Sequence, residues 1–248
     1  MKYLLVTLVS LCSMAIVHAQ HYGFSSGIYR IPYANNIIVN VGSDVYTHDP
    51  RGKYDLSTVA SNPAVVAAAD GWVRWIEESF DTSCYSMTIT GTDTIVNCCW
   101  QQNNFVVIEH PNGEWSQYTH MDHNSTSAAG ITLNEWVTAG TILGTEGTVG
   151  CSTGDHLHLE VARPINPTDP FDTIGGFMNL AGNEMLIPVI GGIGLTKPWM
   201  DAGDTQTGGP IDDNCPPSIE VTGNLSSGGE YVARADDFLL TDNAATMT

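Results

Sequence analysis

The strongest indication of the fold comes from residues 150–161, which read Gly-Cys-Ser-Thr-Gly-Asp-His-Leu-His-Leu-Glu-Val. Successive side chains of a β-strand point to opposite faces, so this stretch predicts a strand with one polar and one apolar face. The two sets are His156, His158 and Glu160 on one face, and Leu157, Leu159 and Val161 on the other. Two imidazoles at this spacing can converge on one small site while the apolar face anchors the strand in a core. The same triplet also suits two ordinary strand histidines.

The sequence before this stretch predicts further β-strands. Between Ser57 and His158, short apolar or alternating runs are separated by turn signals such as Asp70-Gly71, and no long segment has a helical period. The predicted strands are residues 65–68, 71–76, 85–90, 94–98, 105–109, 115–119, 141–144 and 156–161. We therefore expect a mainly β fold, built as an antiparallel sheet or sandwich-like domain with long loops.

Two more polar elements add candidate ligands. The run Tyr118-Thr119-His120-Met121 ends a predicted strand, on which Tyr118 and His120 would share a face. His48 and Asp55 lie in a predicted loop before the strand at residue 65. A hydrolytic zinc takes three protein ligands from His, Asp or Glu and keeps one position open for water. The sequence therefore contains enough donors for such a site.

Several separated motifs between His48 and Pro167 occur in an order that is typical of one family. They are the His48 and Asp55 pair and residues 67–73 (AAADGWV), 106–110 (VVIEH), 118–121 (YTHM), 140–144 (GTILG), 147–150 (GTVG), 152–160 (STGDHLHLE) and 163–167 (RPINP). On these motifs the sequence resembles the lysostaphin and LytM-like family of secreted zinc endopeptidases. It departs from compact members in having six residues between His48 and Asp55, which implies a longer loop, and in having Asp155 where the family usually has proline.

The resemblance implies one Zn²⁺ per chain, held by His48, Asp55 and His158. His120 and His156 would then be catalytic histidines that do not bind the metal, with His156 as general base and His120 as its partner or as a stabiliser of the oxyanion. The reverse assignment of the two stays open. Zinc with two neutral imidazoles and one carboxylate keeps a positive charge, which polarises a carbonyl and lowers the pKa of water.

Two tyrosines near these histidines are further candidates for the site. Tyr118 precedes His120 and could contact the substrate, while Tyr46 could lie beside the metal and donate a hydrogen bond to the tetrahedral intermediate. Structural roles are the alternative for both. His110 and His123 flank the motifs at predicted turns, and we expect them to be solvated loop residues.

The charge balance excludes several classes of partner. The chain has 27 Asp and Glu against eight Lys and Arg, which gives a net charge of −19. So acidic a surface repels phosphate backbones, and no basic stripe interrupts it. We therefore expect no nucleic-acid partner, and after the first 20 residues no apolar run approaches the 18 needed for an integral membrane segment.

The first 20 residues read as a secretory signal. Lys2 precedes an apolar run from Tyr3 to Val17, and small residues lead to a cleavage site near Gln20. This pattern predicts export, with the mature protein secreted, extracellular or periplasmic. Five cysteines then remain, and an oxidising compartment favours two disulfides and one leftover thiol. The strand-like run from Tyr85 to Val96 favours pairing Cys84 with Cys98 or Cys99 across a hairpin, and leaves both options open.

The domain organisation follows from these features. We expect a signal peptide over residues 1–20, a zinc peptidase domain over 21–194 with its core motifs at 48–167, a linker over 195–215, and a short β-rich accessory tail over 216–248. The tail is too short for a core of its own.

The predicted function is hydrolysis of peptide bonds, with cross-link or stem peptides of bacterial peptidoglycan as substrate, and glycine-containing bonds are what the resemblance implies. Two alternatives stay open: a protease of Gly-rich extracellular proteins, and a non-catalytic wall-associated regulator of other hydrolases. A zymogen is a third reading, in which Asn36 or Asn40 would occupy the open metal position. We expect a monomer.

Overall fold

A computed structural model describes residues 23–48, 51–90, 93–99, 101–164, 183–191 and 199–211. The predicted signal peptide, Cys215 and the predicted tail lie outside the described residues. The elements are β1 (Gly23–Phe24), β2 (Ile38–Ser43), β3 (Lys53–Thr58), β4 (Ala64–Val66), β5 (Gly71–Glu77), β6 (Ser86–Thr90), β7 (Asp93–Asn97), β8 (Phe105–Glu109), β9 (Trp115–Thr119), α1 (Ser125–Ala128), β10 (Trp136–Val137), β11 (Ile142–Thr145), β12 (Leu157–Pro164), β13 (Asn183–Ile187) and β14 (Thr205–Thr207).

One large sheet organises the described residues. Its strands follow the order β10-β5-β8-β9-β12-β3-β2-β14, and β13 pairs with the end of β12 and with β1. Every pairing along this order is antiparallel, while β1 and β13 run parallel. The fold is therefore mainly β and antiparallel, as the sequence predicts.

Strand β12 lies in the middle of the sheet, and its two faces differ. Leu157, Leu159 and Val161 are fully buried in the main hydrophobic core. His158 and Glu160 point to the opposite face, where they are also buried. β12 is a central strand, with β9 on one side and β3 and then β13 on the other. The predicted alternation of residues 156–161 is confirmed.

The predicted strands between residues 65 and 161 all occur, with ends that shift by a few residues. The structure adds strands that the sequence analysis left out, above all β2 and β3. The predicted loop at residues 48–55 is wrong for its second half, since Asp55 lies on β3. A signal for this strand was present, because Tyr54 and Leu56 alternate with polar residues and are fully buried in the core.

Within the described residues, four cysteines form two disulfides, Cys84–Cys99 and Cys98–Cys151. The hairpin of β6 and β7 lies between Cys84 and Cys99, as the alternating run predicts. Of the two partners that the sequence left open for Cys84, the structure selects Cys99. Cys98 instead links this hairpin to the segment that enters β12.

Part of the predicted linker packs onto the domain. β14 pairs with β2 at the edge of the large sheet, and Trp199 and Met200 are buried in the core. The backbone N–H of Met200 donates to the hydroxyl of Tyr54, 3.1 Å away. Residues 199–211 thus belong to the folded unit, although their polar composition reads as a linker. No helix in the described part of the chain is long and apolar enough to cross a membrane.

Candidate metal centre

The five His and Asp residues implicated by sequence come from four segments of the chain. β12 pairs with β3 so that His158 lies directly opposite Asp55, and with β9 so that His158 also lies opposite Thr119. His120 follows Thr119, His156 precedes β12, and His48 lies in the loop that leads from β2 to β3. The register of the central strands therefore brings all five together.

Three of these residues form a compact set of metal donors. Oδ1 of Asp55 lies 3.0 Å from Nδ1 of His158 and 3.4 Å from Nε2 of His48. One ligand atom from each residue lies within 4.8 Å of the other two. Ligand atoms about 2.1 Å from a tetrahedral zinc are about 3.4 Å apart, so the set fits such an ion. The donor chemistry, two imidazoles and one carboxylate, is also that of a hydrolytic zinc site with an open position.

The extra length of the loop between His48 and Asp55 does not separate the two residues. The backbone N–H of Gly52 donates to the carbonyl of Val45, 2.8 Å away, so the loop closes on itself before β3 begins. Gly52 has a φ of 88°, a conformation that glycine adopts without steric cost. The ring of His48 then packs edge-on against that of His158, with centroids 4.7 Å apart.

The carboxylate at the centre of the set is held in its charged form. Burial opposes ionisation, but hydrogen bonds from His158 and His48 outweigh it and hold the pKa of Asp55 well below its usual range. Burial likewise lowers the pKa of His158, yet its hydrogen bonds to Asp55 and Glu160 raise it by more. The electrostatics therefore favour a bound cation between these side chains, where a metal ion would replace the proton on Nδ1.

His120 lies at the edge of this set and is fixed by the backbone. Its φ is 68°, and its Nδ1 lies 2.8 Å from the carbonyl oxygen of Val149. Because a carbonyl only accepts, Nδ1 carries the hydrogen, and Nε2 of the neutral ring is free of a proton. Burial, helped by the nearby His156 and His158, lowers the pKa of His120 to about 3. The ring is therefore neutral at neutral pH.

His156 is fixed in the same way by the turn before β12. Its Nδ1 lies 2.8 Å from the carbonyl oxygen of Gly154 and 3.1 Å from the hydroxyl of Ser152. Burial lowers its pKa, and its Nε2 lies 3.6 Å from Oδ1 of Asp55. Its ring lies 4.8 Å from that of His120. Each of the two imidazoles thus turns an unprotonated Nε2 away from its anchor and can accept a proton.

The turn that carries His156 is held at both ends. The disulfide Cys98–Cys151 ties its start to the β6–β7 hairpin, and the N–H of Cys151 donates to Oδ1 of Asn103. At its other end, the N–H of His156 donates to the carbonyl of Gly147. Cys151 is therefore structural, as the sequence suggested, and it restricts the position of a histidine five residues further on.

The two candidate tyrosines have different outcomes. The prediction that Tyr118 shares a face with His120 is wrong, because Tyr118 is fully buried in the core, opposite Leu159, and its hydroxyl accepts a hydrogen bond from the N–H of Ala68. The positive φ of His120 ends the strand and breaks the alternation. Tyr46 is 43% exposed and packs edge-on against Trp199. Its contact with a substrate stays a prediction.

The structure also locates three other polar residues that the sequence analysis considered, His110, His123 and Asn40. His110 is buried rather than solvated, with Nδ1 2.8 Å from the carbonyl of Asp70 and Nε2 2.8 Å from the hydroxyl of Ser116. His123 is exposed, as expected. Asn40 lies on β2, where its side-chain oxygen accepts a hydrogen bond from Thr205.

The sequence analysis assigned no role to two buried charged residues next to the site, Glu160 and Lys53. Glu160 accepts hydrogen bonds from Nε2 of His158 and from Nζ of Lys53, each at 2.7 Å. The sequence analysis placed Glu160 on the strand face of His158 but gave it no role. Lys53 could not be placed from the sequence, because only the pairing of β12 with β3 brings it beside Glu160.

An antiparallel sheet with two imidazoles and one carboxylate converging at its centre is typical of a one-metal hydrolase. Residues 52–170 match the model of Peptidase family M23. This match supports the resemblance to the lysostaphin and LytM-like peptidases that the sequence motifs indicate.

Solved structures similar to this chain carry related descriptions. A putative M23 peptidase from Pseudomonas aeruginosa is 20% identical, with 57% of this chain and 48% of that chain covered and a TM-score of 0.37. A zinc-containing peptidase from Vibrio cholerae is 20% identical, with 56% and 35% covered and a TM-score of 0.31. Lysostaphin from Staphylococcus simulans is 16% identical, with 65% and 52% covered and a TM-score of 0.38. The chain thus spans about half or less of the length of these three proteins.

Proposed function

We propose that this chain is an exported zinc endopeptidase that hydrolyses peptide bonds in cross-link or stem peptides of bacterial peptidoglycan. The observation that carries the proposal is the convergence of donor atoms from His48, Asp55 and His158 beside two anchored, neutral histidines. The match of residues 52–170 to a peptidase family model supports peptide-bond hydrolysis. The signal-like sequence of residues 1–20 supports a secreted or periplasmic location.

The side chains have distinct roles in this reaction. His48, Asp55 and His158 would hold Zn²⁺, which when bound polarises the scissile carbonyl and makes water a better nucleophile. Nε2 of His156, which faces Asp55, accepts the proton of the attacking water, while Nδ1–H to Gly154 keeps the ring in place. His120, 4.8 Å from His156, assists in returning that proton to the leaving amine or in stabilising the oxyanion.

The substrate class has two candidates. Glycine-containing bonds of the cell wall are the first, because the motifs resemble those of the lysostaphin and LytM-like family. A Gly-rich extracellular protein is the second, and the net charge of −19 favours it, since an acidic enzyme is repelled by an anionic wall. The two substrates are distinguished by direct comparison of hydrolysis rates.

The test joins metal content with activity. Purified protein is analysed for zinc and assayed with peptidoglycan, a pentaglycine peptide and a Gly-rich protein. We expect one zinc per chain and release of new amino groups. His48→Ala and His158→Ala should lose both metal and activity. His156→Ala and His120→Ala should keep the metal and lose about 10²–10⁴ in kcat, the usual contribution of general acid–base catalysis.

His123→Ala is the matched control, because this histidine is exposed and its Nδ1 lies 3.2 Å from the backbone carbonyl of Phe80. It should retain zinc and full activity. A wild-type protein without zinc or hydrolysis would contradict the proposal and support the non-catalytic regulator. Zinc binding with cleavage of the Gly-rich protein alone would reject peptidoglycan as substrate.

A further inference from the structure

Behind the donor set, a buried ion pair contacts His158 on the side away from Asp55. On β12 and β3 the directly opposed pairs are His158 with Asp55 and Glu160 with Lys53. Oε1 of Glu160 lies 2.7 Å from Nε2 of His158 and 2.7 Å from Nζ of Lys53. The chain of contacts runs without a break from Lys53 through Glu160 and His158 to Asp55.

The two ends of this chain of contacts differ in their exposure. Glu160 is fully buried, and Lys53 is 4% exposed. Asp55 and His48 at the other end are partly exposed, with side-chain accessibilities of 22% and 16%. The pair therefore lies beneath the site and cannot meet a substrate. The contact between Glu160 and His158 links the pair to the candidate metal ligands.

Stability alone does not explain why Lys53 and Glu160 form a buried ion pair. Taking two charges out of water carries a desolvation penalty that their mutual attraction often fails to recover, and apolar residues of similar size are frequently as stable. Strand β12 already has a fully buried apolar face in the main core. The charges are better explained by what they do to the side chain that they touch.

We infer that Glu160 and Lys53 are positioning residues that fix His158 for metal binding, an inference that rests on the proposed zinc function. An ionised carboxylate can only accept, so Glu160 takes the hydrogen of Nε2 and leaves Nδ1 as the atom that can bind a metal. Nδ1 is the atom that faces Asp55. Without Glu160 the imidazole loses the contact that selects this tautomer and this ring orientation.

Lys53 completes the arrangement. Its ammonium group, 2.7 Å from the carboxylate, stabilises the charged form of Glu160 in a site without water contact. It also leaves the local charge of the pair near zero. Removing Lys53 alone leaves an uncompensated buried carboxylate beside His158.

The test measures zinc affinity, not only turnover. Metal-free wild type, Glu160→Gln and the double variant Lys53→Met/Glu160→Leu are titrated with zinc against a chromophoric chelator. We expect 10–100-fold weaker binding in both variants, the usual effect of losing a carboxylate that orients a ligand histidine. The double variant removes both charges together, so it keeps the measurement possible if the single variant folds poorly. Far-ultraviolet circular dichroism and urea unfolding of the metal-free proteins report the fold separately.

A second readout follows the geometry of the site directly. Cobalt(II) replaces zinc, and its visible absorption reports the coordination of the metal. We expect the cobalt spectrum of Glu160→Gln to change in position or intensity, because His158 is no longer held at one orientation. Glu114→Gln is the control: Glu114 is also buried and accepts hydrogen bonds from Tyr29 and Ser26, and it belongs to none of these metal contacts. It should bind zinc and cobalt like the wild type.

The outcomes separate the two proposals. If the wild type binds zinc and both pair variants bind it within about threefold of the wild type while folded, the positioning role is overturned and the zinc function stands. If the Glu114→Gln control loses affinity as much as Glu160→Gln, the effect is general to buried carboxylates and the positioning role is again overturned. If the wild type does not bind zinc, both proposals fail.

Discussion

Replacing Glu146 with glutamine should remove a pH-dependent loss of stability. Glu146 is 4% exposed and contacts the hydroxyl of Tyr33, which also lies 2.8 Å from the carbonyl oxygen of Leu56. Tyr33 has only one hydroxyl hydrogen. If it donates to Leu56, Glu146 must be protonated and must donate to Tyr33. A neutral Glu146 lets both hydrogen bonds form at once, whereas an ionised Glu146 competes with Leu56 for the single hydrogen of Tyr33.

The size of the effect on stability follows from the proton affinity of Glu146. Burial raises the pKa of Glu146 from 4.5 to about 7, and the charges of Asp155 and Asp122 add to the rise while Tyr33 opposes it. Each tenfold change in proton affinity corresponds to about 1.4 kcal/mol, so the rise corresponds to about 3 kcal/mol at most. Because the folded pKa lies above the unfolded one, this stabilisation is fully present below about pH 4.5 and is lost as the pH rises through 7.

Urea unfolding of the wild type and of Glu146→Gln at intervals from pH 4.5 to 8.5 checks this. The glutamine amide can donate to Tyr33 at every pH, so the variant should gain up to about 3 kcal/mol on the wild type towards pH 8. Glu184→Gln is the control, because Glu184 lies at the surface in an ion pair with Arg163, and it should follow the wild type. The reasoning would be refuted if the free energy of unfolding depended on pH in the same way in the wild type and in Glu146→Gln.

Three further predictions test other parts of the structure. Leu159→Ala removes a fully buried core side chain and should lower the free energy of unfolding by about 2–5 kcal/mol, so an unchanged urea midpoint would contradict the burial. Gly150→Ala should destabilise by more than about 1 kcal/mol in thermal unfolding, because Gly150 has a φ of 86° and an added Cβ would collide with the side chain of Asn103, whereas Gly154→Ala has open space and should be neutral. Cys98→Ser should cost about 2–4 kcal/mol, and the wild type under reducing conditions should match or fall below it in the same assay.

Period-two patterns explain why much of the sheet could be predicted. Leu157, Leu159 and Val161 alternate with polar residues and are buried in the core as the pattern requires. Asp55 could not be placed from such patterns, because its position depends on the register of β3 against β12. Register comes from long-range packing and not from local sequence. The family resemblance supplied what the local sequence lacked.

The prediction that Tyr118 shares a strand face with His120 is wrong for a local reason that the sequence pattern does not reveal. Alternation holds only while the backbone stays extended, and His120 leaves the strand with a φ of 68°. Residues other than glycine adopt this conformation uncommonly, and no glycine marks the position. The turn directs the ring towards Val149 and His156 while Tyr118 stays in the core. The backbone turn, not the strand, therefore positions the second catalytic candidate.

Burial of both faces of β12 has a consequence for the whole site. A polar side chain on an exposed sheet face can be satisfied by water, but one on a central, covered strand must find partners among its neighbours. Glu160 and His158 find them in Lys53 and Asp55, on the adjacent strand at the opposed positions. The candidate metal ligands Asp55 and His48 are thus the partly exposed end of a network whose other end is buried. We therefore expect substitutions at the buried end, at Glu160 or Lys53, to weaken metal binding before they unfold the protein.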